Sequence, residues 1–102
     1  HPEFPSQRVS PQDQHALAER GALMERAFTT AYTGKCSWDD FFAATRAVGA
    51  RQTVWGSDLG QQFNPPVEDG LALMADRFLA AGFTDEEVRI MAVENTRRVA
   101  GA

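Results

Sequence analysis

The chain has 102 residues, 43% of them hydrophobic and 24% charged, a balance that excludes a disordered tail and suits one soluble globular unit with a small core. A formal net charge of -4 argues against a nucleic-acid partner and for a small-molecule substrate or another protein. No apolar run approaches the roughly 18 to 20 residues that cross a bilayer, so no membrane partner is expected, and any targeting segment would have to lie upstream of His1.

His1-Pro2-Glu3-Phe4-Pro5 holds two prolines in five residues and reads as a loop. Ser10-Pro11-Gln12-Asp13 sets a helix start, with Ser10 as cap, Pro11 at the first helical position and Asp13 in the acidic position of a capping box; Gly21 fits its stop. Ala22 to Phe28 is read as a strand, although its alanine, leucine, methionine, glutamate and arginine would also suit a helix. The polar run Thr29 to Lys35 follows as a loop.

Cys36 is the single cysteine, without a partner for an internal disulfide, which agrees with a reducing cytoplasm; as a nucleophile it lacks a local signature and a framing histidine. Ser37 opens a second helix with Asp39 and Asp40 in its first turn, and Trp38, Phe41, Phe42, Thr45 and Val48 form its apolar face up to Gly49. Gln52 to Ser57 is a second strand, ending on the acid Asp58. A carboxylate in that position calls for a proton donor or a cation such as a metal ion.

Leu59 to Pro66 reads as a restricted loop. Glu68 or Asp69 begins a third helix with Leu71, Met74, Ala75, Phe78 and Leu79 on one face. Thr84-Asp85-Glu86-Glu87 begins a last one with Val88, Met91, Ala92, Asn95 and Val99 inward. Asn95 interrupts that stripe and is read as an amide satisfying a nearby helix end or loop. His15, within the first helix, is read as a solvated histidine.

Helix and strand alternate as in parallel α/β folds, where ligand groups gather beyond the C-terminal ends of the strands. Two strands are not expected to make a stable sheet with these helices packed on it. The expectation is therefore a single partial domain, residues 1–102, forming the last two to three β/α units of a (β/α)8 TIM-type barrel. Strand alternation then puts Val54, Gly56 and Asp58 on one face and sends Trp55 outward against the helices.

Ser57-Asp58-Leu59-Gly60 after an apolar strand, the proline-containing loop, Thr84-Asp85-Glu86-Glu87 and Asn95-Thr96-Arg97-Arg98-Val99 resemble, in that order, the C-terminal part of the amidohydrolase superfamily of metal-dependent hydrolases. In that family the last barrel strand ends in an aspartate and a terminal helix often carries an Asn-Pro-x-Arg-Leu-like ending; here Thr96 replaces the proline. His1-Pro2-Glu3 looks like the end of the family's sixth strand, where a histidine ligates or approaches the metal. The resemblance implies a divalent metal, zinc above all, held by His1 and Asp58, with Asp58 also taking the proton of the attacking water. The family's His-x-His pair, bridging acid or lysine, and strand-five histidine are not in this chain, so the isolated segment is expected to bind metal weakly and to catalyse little.

Tyr32, Lys35, Gln61 and Asn64 are expected to rim the mouth of such a site and touch substrate. Unpaired strand edges would favour a homo-oligomer or other self-association. The competing expectation is a non-catalytic interaction module, in which the last two helices offer a groove to a partner.

Overall fold

The structure, a computed structural model, describes residues 1–101. Three of the helices start where their capping chemistry dictates. Helix α1 (Pro11–Glu19) has Pro11 in its first turn and begins with Asp13 N donating to Ser10 Oγ at 3.1 Å. In α3 (Trp38–Val48) the same bond runs from Asp40 N to Ser37 Oγ, and Gly49, at φ 91°, stops the helix in a backbone conformation that a side chain disfavours. Thr84 and Glu87 close a reciprocal capping box ahead of α5 (Asp85–Arg89). Helix α4 (Val67–Ala80) starts one or two residues earlier than its acids suggest, because Pro66 takes the capping position and leaves Glu68 and Asp69 in the first turn.

The two strands, β1 (Met24–Ala27) and β2 (Thr53–Gly56), form a two-stranded parallel sheet with Met24 opposite Thr53 and Ala27 opposite Gly56. Strand β1 is shorter than the expected Ala22 to Phe28. Phe28 instead opens a short helix, α2 (Phe28–Tyr32), in the stretch read as loop. The last helix is not continuous: α5 passes through a wider turn over Ile90–Glu94, in which Asn95 N donates to Ile90 O, before α6 (Asn95–Ala100). Asn95 is buried there, and its Nδ2 reaches the carbonyls of Ala50, Arg51 and Thr53 at 2.9, 3.2 and 2.7 Å, tying α6 to the turn that enters β2.

The expected barrel portion is corrected by this architecture. The described residues are mainly helical, and they close on themselves around two strands with a radius of gyration of 12.8 Å, the compactness of about 13 Å expected for a free-standing domain of this length. The physical reason lies in the aromatic residues. Phe41, Phe42, Phe78 and Phe83 meet edge-on or tilted at 4.9 to 6.0 Å, and Trp55 of β2 packs on Phe78 at 4.8 Å. Phe41 and Phe42 of α3 therefore cover Phe78 of α4, while α3 also packs along α1, and a wide sheet is not needed to bury these faces. Trp55 does pack against the helices, as strand alternation predicts. Leu71, Leu79 and Val99 do not join the core and are exposed.

No helix among the described residues is long and apolar enough to cross a membrane.

Candidate functional site

Parallel pairing brings the C-terminal ends of both strands to one side. The register that sets Ala27 against Gly56 carries on past the ladder, bringing Thr29 beside Asp58. Beyond β2 the chain turns sharply: Asp58 has φ 54°, one of two non-glycine residues of positive φ among those described, and the type of residue that tolerates this conformation best after glycine and asparagine.

The turn presents the Asp58 carboxylate to two groups. Its Oδ2 accepts from Thr29 Oγ1 at 3.3 Å and lies 3.3 Å from His1 Nε2. The other ring nitrogen of His1, Nδ1, is 3.1 Å from Thr30 Oγ1, and the ring packs edge-on against Phe4. Thr30 is fully buried in the middle of α2, so it fixes the imidazole from behind while Nε2 faces the carboxylate. With Nε2 alone protonated the contact is a hydrogen bond to the carboxylate, and with Nδ1 protonated as well, donating to Thr30 Oγ1, it is an ion pair. The Asp58 side chain retains 57% of its exposure, so water reaches it.

The pair borders a cavity of about 420 Å³ that also takes in Phe4, Gln7, Thr29, Thr33, Lys35, Gln61 and Phe63. Of the residues expected from the sequence, His1, Asp58, Lys35 and Gln61 are brought together around this cavity. Tyr32 and Asn64 are not: Tyr32 stacks on Phe28 at 4.9 Å, and Asn64 donates to Gln61 Oε1 at 2.7 Å within its own loop. Thr29, Thr30 and Phe4 were not expected. Two successive threonines directly after an apolar strand are the signal for the first two, and it is hidden when Thr29 to Lys35 is read as one polar loop.

The spacing of the pair is compatible with an ordinary imidazole–carboxylate contact and equally with two neighbouring ligands of one cation. Neighbouring ligands of a tetrahedral zinc ion, each about 2.0 to 2.1 Å from it, stand about 3.3 Å apart, and His1 Nε2 and Asp58 Oδ2 are separated by 3.3 Å. Among the described residues no third histidine, cysteine or carboxylate joins them in a group that could hold an ion. Cys36 lies elsewhere and is not activated: burial, then the charges of Glu3 and Asp40, push its thiol up to about 11.

Comparison of the chain with protein-family models, curated proteins and solved structures found no match.

Proposed function

We propose that His1 and Asp58 are two ligands of a metal-dependent hydrolase site of the amidohydrolase type, with a divalent cation, zinc in the first instance, as cofactor. The observation that carries this is the meeting of His1 Nε2 and Asp58 Oδ2 at 3.3 Å, beyond the C-terminal ends of two parallel strands. The order of the Ser57-Asp58-Leu59-Gly60 and Asn95-Thr96-Arg97-Arg98 elements supports it. A site of this kind would need one or two further ligands besides this pair, and the setting proposed is a reducing cytoplasm.

Held by His1 and Asp58, such an ion would supply acidification of a bound water, whose pKa would fall towards about 7. In this proposal Asp58, solvent-accessible and oriented by Thr29, would be the group placed to accept a proton from a water attacking a carbonyl or phosphoryl centre. His1 offers Nε2 as a neutral donor while Thr30 holds Nδ1. Lys35 and Gln61, at the cavity wall, contact the substrate.

Zinc titration of the chain by calorimetry tests the ligand roles. Binding that weakens about tenfold or more in both His1→Ala and Asp58→Asn supports them. Affinity unchanged in both variants overturns them. In a preparation that supplies the missing ligands, Asp58→Asn is expected to abolish ester or amide hydrolysis while the melting temperature stays near that of the parent.

A further inference from the structure

We infer that Leu59, seated in the notch left by Gly70 of α4, is a positioning residue: it holds Asp58 in its positive-φ turn and so determines where the carboxylate meets His1. The inference rests on the proposed role of Asp58 and adds how that residue is placed.

Leu59 immediately follows Asp58, and its side chain reaches the fully buried face of α4. A Cβ built on Gly70 would lie 2.0 Å from Leu59 Cδ1 and 3.3 Å from its Cγ, so the notch exists only because residue 70 has no side chain. Glycine inside a helix is unfavourable, and this buried position gains from it the room that Leu59 fills. The wall behind is firm: Met74 and Phe78, on the same helix, are fully buried, and Phe28 lies 3.9 Å from the built Cβ.

The rest of the loop offers Asp58 little other support. Its φ of 54° lies in the left-handed region, which aspartate tolerates better than most residues but which still costs more than ordinary backbone, and Gly60 beyond it has φ 125°, so the turn does not hold itself. The hydrogen bonds at the turn are long, 3.3 Å from Thr29 Oγ1 to Asp58 Oδ2 and 3.4 Å from Leu59 N to Ser57 Oγ. Phe63, the other large apolar residue of the loop, is 75% exposed, whereas Leu59 packs against the core. An apolar anchor one residue from the carboxylate is therefore what fixes the turn.

The test uses the full chain with Leu59→Ala, Leu59→Met and Gly70→Ala. Asp58 backbone chemical shifts and the HN–Hα coupling report its φ without any metal, and zinc calorimetry reports the consequence for the pair. In Leu59→Ala and Gly70→Ala the positive-φ signature is expected to be lost and zinc affinity to fall about tenfold or more, while the flexible, similarly sized Leu59→Met retains both. If Leu59→Ala does not fold, Leu59→Val shortens the same contact and is read in the same way. Retention of the positive-φ signature in Leu59→Ala, or in Leu59→Val where that variant is used, overturns the inference. Should the parent chain bind no zinc, the metal-site reading falls, and the backbone measurement alone decides the role of Leu59.

Discussion

Arg26 Nη1 donates to Glu3 Oε1 at 2.6 Å, an ion pair in which the arginine side chain is wholly buried and the carboxylate nearly so. Strand β1 thus carries a charge inward, and the N-terminal segment supplies its counter-charge. Gln14 of α1 completes the ring: it accepts from Arg26 Nη2 at 2.7 Å, and its Nε2 donates to the other Glu3 oxygen and to Val9 O. Glu3 is two residues from His1, so this buried network ties the segment that carries the imidazole to the strand whose end carries Thr29 and Thr30.

Arg26→Met is accordingly expected to destabilise the fold by about 3–5 kcal/mol, because it leaves the Glu3 carboxylate buried without a partner. Arg26→Met combined with Glu3→Gln removes the stranded charge and is expected to recover a large part of that loss. Urea denaturation of the two variants checks this. A single-variant loss of less than about 1 kcal/mol would show that the pair does not hold the segment.

Asn95 serves the fold in a comparable way at the other end of the sheet. Its Nδ2 faces three carbonyls at the entrance to β2; Ala50 O keeps Thr53 N and Arg51 O keeps Arg98 Nη2 as other donors, so Asn95→Ala is expected to cost about 1 to 2 kcal/mol, chiefly by taking the amide donor from Thr53 O and untying α6 from the turn. Asn95→Asp is expected to cost more, since it turns a carboxylate towards three oxygens. Equal stabilities of the two variants in chemical denaturation would count against the donor role.

What the sequence made legible was local. Ser10, Ser37 and Thr84 announce their helices because a capping hydroxyl acts within three residues, and Asn95 was readable as an amide serving a neighbouring loop because it breaks an apolar stripe. The placement of Trp55 followed from alternation alone. Arg26 was not legible as a buried charge, since its partners Glu3 and Gln14 are distant in sequence and only tertiary folding makes them neighbours. The barrel expectation failed for a related reason: counting strands does not reveal that Phe41, Phe42, Phe78 and Phe83 can cover one another. At the site, Asp58 stood out as an acid after an apolar strand. Thr29 and Thr30 did not, because their role depends on the parallel register that sets them beside it.

Cys36 gives a prediction about reactivity. Burial first, then the nearby charges of Glu3 and Asp40, raise its thiol from 9.0 to about 11, while Arg26 acts in the opposite direction. Two units remove about a hundredfold of the thiolate at pH 8, and thiolate is the reactive form. Alkylation by iodoacetamide is therefore expected to be slow in the folded chain and to accelerate on unfolding in urea. A folded rate equal to the unfolded rate would contradict it.

His15 gives the pH dependence. Although more than half exposed, its ring bridges two helices: Nδ1 donates to Ala47 O at the end of α3, at 2.7 Å, and Nε2 lies 2.8 Å from Glu19 Oε1 one turn along α1. The Ala47 carbonyl first, and then the Glu19 carboxylate, raise its pKa above the ordinary 6.5. A group whose pKa is higher folded than unfolded binds its proton more tightly in the folded state. The resulting stabilisation is fully present below about 6.5 and is lost as pH rises through the folded value. His15→Gln keeps a neutral donor for Ala47 but cannot take up the charge. The melting temperature of the parent is therefore expected to exceed that of His15→Gln most near about pH 6, with Glu19 still ionised, and the gap is expected to close by about pH 9. A gap that stays constant across this range would assign the contact to hydrogen bonding alone, and an imidazole titration midpoint at or below 6.5 by NMR would remove the electrostatic contribution altogether.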